Sequence, residues 1–303
     1  MIFSEEKIRA PVAAGLFYPD EKEKILETFI SFGLDLRKRK PLELPTKNSP
    51  GESEQTKGFG VSNDVLRRSP SLAVIVPHNA WNLSGKAVAK AFCTCTGRRN
   101  AISRVVILGT VHDAVKSSLI LTASDSFDTP LGKINIDQST NEELTSCSTA
   151  FEVNDIPHLQ ELSIEVLLPF VKYCFPKAAI VPILMGRSFP SLVKGFASAL
   201  HVVFDCECDK TLFVISSSLA RNTTREKAHR QAKRFVQLVL EGRGKTLGKS
   251  FFAGHISGCC APLVAAFLES GLATNRKSFL LPPGIQHISG QGSHACFGSI
   301  AIC

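Results

Sequence analysis

The sequence predicts an α/β protein: a single domain with a central, largely parallel or mixed β-sheet that is covered by helices on both faces. Short apolar runs rich in Val and Ile recur along the 303 residues. Several lack the alternation expected of a sheet with one wet face, which is typical of strands buried on both sides. Helical patterns separate many of these runs, and such βα alternation favours a parallel sheet between two helical layers.

The predicted strands lie where the apolar runs are. They cover Leu72 to Val76, Val105 to Leu108, Leu119 to Thr122, Ile134 to Ile136, Ile180 to Leu184, Leu212 to Ile215 and Phe297 to Ile302. In an open α/β sheet, ligands bind beyond the carboxyl ends of the strands. His78, His112 and Ser218 closely follow three of these runs, so we expect them side by side on one edge of the sheet.

Helix signals fill the intervals between the strands. Ser84 is a candidate N-cap with Gly97 as a C-terminal stop, while Thr223 and Glu226 have capping-box spacing ahead of Gly242. The remaining predicted helices run from Glu21 to Phe32, Ser163 to Tyr173, Pro190 to Val203 and Pro262 to Ser270.

Composition limits the class of protein. Hydrophobic residues make up 44% of the chain, enough for a large core. The N-terminus lacks a signal-peptide pattern, and no run reaches the about 18 apolar residues that a membrane span needs. These features predict a soluble, cytoplasmic protein without a membrane span. The ten cysteines are scattered without zinc-type pairs, which indicates mostly reduced thiols.

The formal net charge of +8 is concentrated in two basic blocks. One begins at Arg37 to Lys40, inside a polar stretch at about 37–68 that we interpret as a flexible excursion from the domain. The other runs from Arg221 to Lys249. Neither block contains the interleaved aromatics that stack on bases, so we expect solvated basic faces and no specific nucleic-acid binding.

Several segments occur in the order known from one protein family. RAPVAAGLFYP resembles PAVAGxFYP, PHNAWNLSG resembles PHAGYxYSG, RVVILGTVHD resembles RVVILGPSH, DTPLGKINID is close to a TPLG segment, and ELSIEVLLPF resembles EHSLEVQLPF. By these segments the chain is identified as a divergent member of the Memo family. The resemblance implies a fold related to the LigB-type subunits of class III extradiol ring-cleaving dioxygenases.

The resemblance also implies a metal site. Memo-family proteins are expected to hold iron or copper with two histidines and a cysteine, so we expect iron or copper in this chain ahead of zinc. His78 and His112 match the histidine positions, and Ser257 stands at the position of the cysteine. The family's SSDxSH is altered as well, because Ser218 replaces its acid and Arg221 its histidine. The resemblance therefore implies a degenerate metal site.

Other residues near these positions are open to two interpretations. Cys259, Cys260 and His255 are close enough in sequence to supply a relocated ligand, or the two cysteines pack in the first turn of a helix. Glu161 is a further candidate for the cleft, next to Leu162 where the family carries a histidine.

The leading hypothesis for function is a non-catalytic binding, regulatory or adaptor protein with a residual cleft. The alternative is a metal-dependent redox enzyme, using iron or copper, in which Cys259 or Cys260 is the third ligand. A third interpretation gives the cleft to a small anionic ligand or to a protein or phosphopeptide partner, because Arg221 and Lys86 offer donors.

Deleting residues 43–63 should leave the fold intact, because this segment offers little periodic apolar surface to the core. The measurement is thermal unfolding of the deletion variant beside the parent. A loss of cooperative unfolding would show that the segment contributes to the structure.

Overall fold

The computed structural model describes residues 6–37, 70–114, 116–290 and 292–303. The predicted polar excursion at about 37–68 lies almost wholly outside these ranges, as does the deletion of 43–63, so both stay predictions. No helix among the described residues is long and apolar enough to cross a membrane.

Most strands of the described ranges are two to five residues long. They are β1 (Ile8–Arg9), β2 (Ala73–Val76), β3 (Arg104–Thr110), β4 (Leu119–Leu121), β5 (Ser126–Phe127), β6 (Ile134–Asn135), β7 (Phe151–Val153), β8 (Ala179–Met185), β9 (Thr211–Ser216), β10 (Ala220–Asn222), β11 (Ser278–Leu280), β12 (Gln286–Gly290), β13 (Ser293–Phe297) and β14 (Ile300–Ile302).

The helices of the described ranges lie mostly between these strands. They are α1 (Lys22–Ser31), α2 (Trp81–Cys95), α3 (Gln138–Cys147), α4 (Asp155–Gln160), α5 (Leu168–Cys174), α6 (Pro190–Phe204), α7 (Arg225–Leu240), α8 (Gly244–Phe252) and α9 (Ala261–Glu269).

The main sheet has eight strands in the order β11-β14-β2-β9-β3-β8-β4-β7. Its centre, β2-β9-β3-β8, is parallel, whereas β14 and β4 flank it in the antiparallel sense. Two three-stranded sheets, β1-β5-β6 and β10-β13-β12, lie outside it. The predicted mixed α/β sheet is thus confirmed.

Helices bury both faces of the main sheet. Alternate residues of one strand enter different cores: Val74 packs in the cluster that contains Phe92 of α2, and Ile75 packs in the cluster that contains Phe235 of α7. Because both sets of side chains need apolar neighbours, the strand has no polar alternation. This confirms the interpretation of the uniformly apolar runs.

The carboxyl ends of the three central strands meet at one edge. Strand β9 lies between β2 and β3. Its Ser216 pairs with Val76 of β2, and its Ile215 pairs with Leu108 of β3. All three strands run in the same direction. The prediction that the loops carrying His78, His112 and Ser218 share one edge is therefore confirmed.

Three predicted boundaries are wrong. The last apolar run is not one strand, because β13 ends at Phe297 and the chain passes from the small sheet to the main sheet before β14 begins. Ser84 is buried inside α2, where the first residue, Trp81, donates its N–H to the Phe17 carbonyl and so has a partner without a side-chain cap. In α7 the N-cap is Thr224, whose hydroxyl accepts from the Lys227 N–H.

A buried ion pair joins the N-terminal segment to the segment before α5. The Arg9 guanidinium lies 2.6 Å from Glu165 Oε2, and both side chains are almost fully buried. The other carboxylate oxygen accepts from the Ala13 N–H at 2.6 Å and from the Tyr18 hydroxyl at 3.0 Å. Such a buried charge is stable only when its partners are all in place. Glu165 therefore fixes the position of the whole opening segment.

Replacing Glu165 with Gln should lower the free energy of unfolding by about 3–5 kcal/mol, because the Arg9 charge would stay buried without its anion. Urea denaturation measures the loss. The matched control is Glu6→Gln, which removes an exposed carboxylate paired with Lys133 and should leave the midpoint almost unchanged. Similar midpoints for the two variants would contradict the role given to Glu165.

Candidate functional site

His78 lies two residues after the end of β2, and its ring is held by Ser216, which is in turn bonded to Ser163. Its Nδ1 lies 2.9 Å from Ser216 Oγ at the end of β9. The Ser216 hydroxyl donates to the Ser163 carbonyl at 2.6 Å. A hydroxyl has one proton, so the Ser216 oxygen accepts from Nδ1–H of His78. This leaves Nε2 of His78 as the ligand atom, and it lies 3.8 Å from Cys259 Sγ.

His112 lies just beyond the end of β3 and is held by a carboxylate. Its Nδ1 lies 2.9 Å from Glu161 Oε2, and its backbone N–H donates to the same oxygen at 3.1 Å. The other Glu161 oxygen accepts from the Ser163 N–H at 2.9 Å. The His112 side chain is 43% exposed while that of Glu161 is 10% exposed, so the carboxylate anchors the ring from the protein side. The His78 and His112 ring centroids are 5.4 Å apart.

Cys259 completes a cluster with the two histidines. One ligand atom from each of His78, His112 and Cys259 lies within 4.8 Å of the other two. The Cys259 sulfur also accepts from the backbone N–H and from the hydroxyl of Ser218, both at 3.2 Å. The structure thus brings two imidazoles and a sulfur together at the edge of the sheet.

The charges in this cluster support one another. A hydrogen bond from the Cys260 thiol, together with the electrostatic effect of His78 and hydrogen bonds to His112 and His78, outweighs burial and holds the pKa of Cys259 well below its usual value. Hydrogen bonds to Cys259 and to Glu161 raise the pKa of His112 to about 10. Burial opposes ionisation of Glu161, but the bond and the charge of His112 lower its pKa on balance. These pKa directions favour a thiolate at Cys259 facing an imidazolium at His112.

Gly258 allows Cys259 to approach the end of β9. A Cβ atom at residue 258 would lie 2.8 Å from the Ser218 carbonyl oxygen and 3.0 Å from that of Leu219. Real Cβ atoms do not come this close to backbone, so any larger residue would push the chain away from the loop. The glycine before Cys259 is a requirement of this close approach.

The structure corrects the position of the third candidate ligand. Ser257, which the resemblance placed there, donates its hydroxyl to Gln231 Oε1 at 2.7 Å and accepts from the Arg221 N–H at 3.1 Å. Cys259, two residues further on, is the residue that meets the histidines. The resemblance matches Ser257-Gly258 with a Cys-Gly pair of the family, and it therefore places the ligand on the N-terminal side of the glycine.

The other predicted site residues are placed as follows. Arg221 is exposed on β10, and the bond it makes to Ser257 comes from its backbone. His255 is exposed, whereas Cys260 is buried in the core and its N–H donates to Ser217 Oγ at 3.2 Å. Leu162 packs against the core cluster on the α2 side of the sheet. Leu162 therefore has a packing role, while Cys260 packs in the core and also supports Cys259 through its thiol.

Sequence reasoning gives no site role to Ser163 or to Ser216. Both support the His78 ring, and Ser163 also donates to Glu161. The only signal was that these serines stand beside the candidate residues at a strand end and in the segment that follows Glu161. A serine at such a position is common for other reasons, so the pattern alone could not identify it.

Known proteins of one family resemble this chain over most of its length. The family model described as "Memo-like protein" matches residues 9–281. A MEMO1 family protein of Methanobrevibacter smithii is 30% identical over 230 residues, which cover 74% of this chain and 73% of the relative. Another, of Thermotoga neapolitana, is 28% identical over 270 residues, with coverage of 89% and 90%.

Among solved structures, an uncharacterized protein of Escherichia coli K12 aligns with a TM-score of 0.45 and 13% identity, covering 76% of this chain and 98% of that one. A likeness at this level adds nothing to the assignment, which rests on the family match and on the sequence relatives. The chain belongs to the Memo family.

Proposed function

We propose that this protein binds one transition-metal ion, iron or copper, through His78, His112 and Cys259, and that the bound ion serves redox chemistry in the cleft. The observation that carries the proposal is the convergence of three ligand atoms within 4.8 Å of one another. Each imidazole is in addition anchored through its Nδ1, which directs Nε2 toward the cluster. This anchoring is the arrangement that metal-binding histidines commonly have.

The spacing and the chemistry of the donors fit such an ion. Metal–nitrogen and metal–sulfur bonds of about 2.0–2.1 and 2.3 Å, at angles near those of a tetrahedral or trigonal site, separate the two donors by about 3.5–3.8 Å. His78 Nε2 and Cys259 Sγ are 3.8 Å apart. Two imidazoles and one thiolate suit copper and iron, and three protein ligands leave a position open.

Each residue has a distinct part in this proposal. A bound iron or copper ion supplies one-electron chemistry and an open position for a small ligand. Ser216 and Glu161 hold the two rings in their ligand orientation. His112 gives up the proton that it holds in the metal-free state, because only the neutral imidazole is a ligand. Cys259 contributes the one anionic donor of the set.

The cleft lacks groups that ring cleavage requires at the family's positions. A dioxygenase needs an acid or base to manage protons beside the metal. Ser218 stands where the resemblance places the acid, and Leu162, which packs against the core cluster, stands where it places a histidine. These two replacements favour redox chemistry without ring cleavage. They also favour a second proposal, a binding or regulatory role in which the metal is structural and no turnover occurs.

The test is metal binding by the parent and by single variants. After reconstitution with Fe(II) or Cu(I), the parent should hold one ion per chain, and His78→Ala, His112→Ala and Cys259→Ala should each weaken binding by more than about 100-fold, beyond the usual effect of losing a supporting partner. Ser257→Ala is the matched control and should bind like the parent. Competition with a chelator measures the affinities. A folded parent that takes up no metal would refute the proposal.

Glu161→Gln tests the support of His112. We expect metal affinity to fall by about 10–100-fold, because a neutral amide holds the ring and its basicity less firmly than a carboxylate. Glu143→Gln, an exposed change of the same kind on α3, should have no effect. Equal chelator competition curves for the two variants would show that Glu161 does not support the ligand.

A further inference from the structure

The Cys259 sulfur has two hydrogen-bond donors on one residue. Ser218 presents its backbone N–H and its hydroxyl to the sulfur, both at 3.2 Å. The Ser218 oxygen lies 3.3 Å from the Cys259 N–H, which donates to it. The hydroxyl therefore accepts from the backbone of Cys259 and donates to its side chain. This reciprocal pair fixes the direction of the sulfur relative to its own main chain.

The loop around Ser218 is itself held in place. The Ser217 hydroxyl donates to the Ser218 carbonyl at 2.7 Å and accepts from the Cys260 N–H at 3.2 Å. On the other side, Gly258 packs closely on the Ser218 carbonyl. With little freedom on either side, the two donors of Ser218 stay directed at the sulfur.

The residue type at 218 matters because the sulfur is an acceptor. A serine hydroxyl has a proton to donate, whereas an ionised carboxylate has none and would repel a thiolate. The resemblance places an acid at this position. The exchange of acid for serine thus replaces a group that cannot bond to the sulfur with one that does. The same change that removes a proton carrier from the cleft adds a support to Cys259.

We propose that Ser218 is a positioning residue that holds the Cys259 sulfur toward the two imidazoles and withdraws electron density from it. The part that concerns metal rests on the proposed function. Hydrogen bonds to a ligand sulfur weaken its donation and raise the reduction potential of the ion. Ser218 would accordingly stabilise the lower oxidation state of a copper or iron ion bound to Cys259.

A metal-free measurement tests the contact itself. In chelator-treated protein, alkylation of Cys259 by iodoacetamide is followed by site-resolved mass spectrometry up to the high-pH plateau, where every molecule carries the thiolate. Ser218→Ala should raise the plateau rate, by about threefold for each unit by which the thiolate becomes more basic. Ser218→Thr, which keeps the hydroxyl, should restore the parent rate. Ser198→Ala, a remote change on α6 whose hydroxyl bonds its own helix, should match the parent.

A second measurement tests the consequence for a metal. With Co(II) as the probe, the sulfur-to-metal charge-transfer band of Ser218→Ala should move to lower energy, and that of Ser218→Thr should stay at the parent position. Circular dichroism checks folding, and Ser218→Gly replaces the alanine variant if that one unfolds. Plateau rates that are equal in parent and Ser218→Ala would overturn the proposal. A parent that binds no Co(II) would refute the proposed function, while the alkylation rates would still decide the role of Ser218.

Discussion

The buried carboxylate of Glu165 is the constraint on which the site depends. Its charge is stable in the interior only with all of its partners present: the Arg9 guanidinium, the Ala13 N–H and the Tyr18 hydroxyl. These partners lie far away in sequence, so satisfying one side chain fixes the opening segment against the chain that leads into α5. The indole of Trp81 adds a second tie, because it donates to the Val166 carbonyl at 2.9 Å.

The same short segment carries the support of both histidines. Two residues before Glu165, the Ser163 carbonyl accepts a hydrogen bond from the Ser216 hydroxyl. Four residues before it, the Glu161 carboxylate bonds Nδ1 of His112. Gly109 lets this segment come close to the end of β3, since a Cβ there would lie 2.6 Å from Ser163 Oγ. The orientation of the imidazoles therefore follows from burial chemistry that lies outside the cleft. This link connects the opening motif to the segments that hold the two histidines.

The sequence predicted the parts of the fold that depend on repeated, local patterns. Buried strands and amphipathic helices each leave many residues of evidence, and the parallel βα order placed His78 and His112 on one edge. Boundaries were less predictable, because tertiary contacts set them: Trp81 begins α2 with a donor satisfied by Phe17. The supports of the histidines were not predictable, since a serine beside a strand end has no distinctive pattern until its partner is known.

The third candidate ligand shows why a motif position and a position in space can differ. A sulfur reaches the histidines only if the chain before it passes close to the end of β9, and Gly258 provides that approach. Ser257, before the glycine, then donates to Gln231, and Cys259, after it, lies beside the two histidines. Matching by the glycine alone assigns the ligand to Ser257 and makes the site look depleted. The contacts place the Cys259 sulfur beside the two imidazoles, and the Ser218 hydroxyl then becomes a donor to that sulfur at a position where the resemblance implies only the loss of an acid.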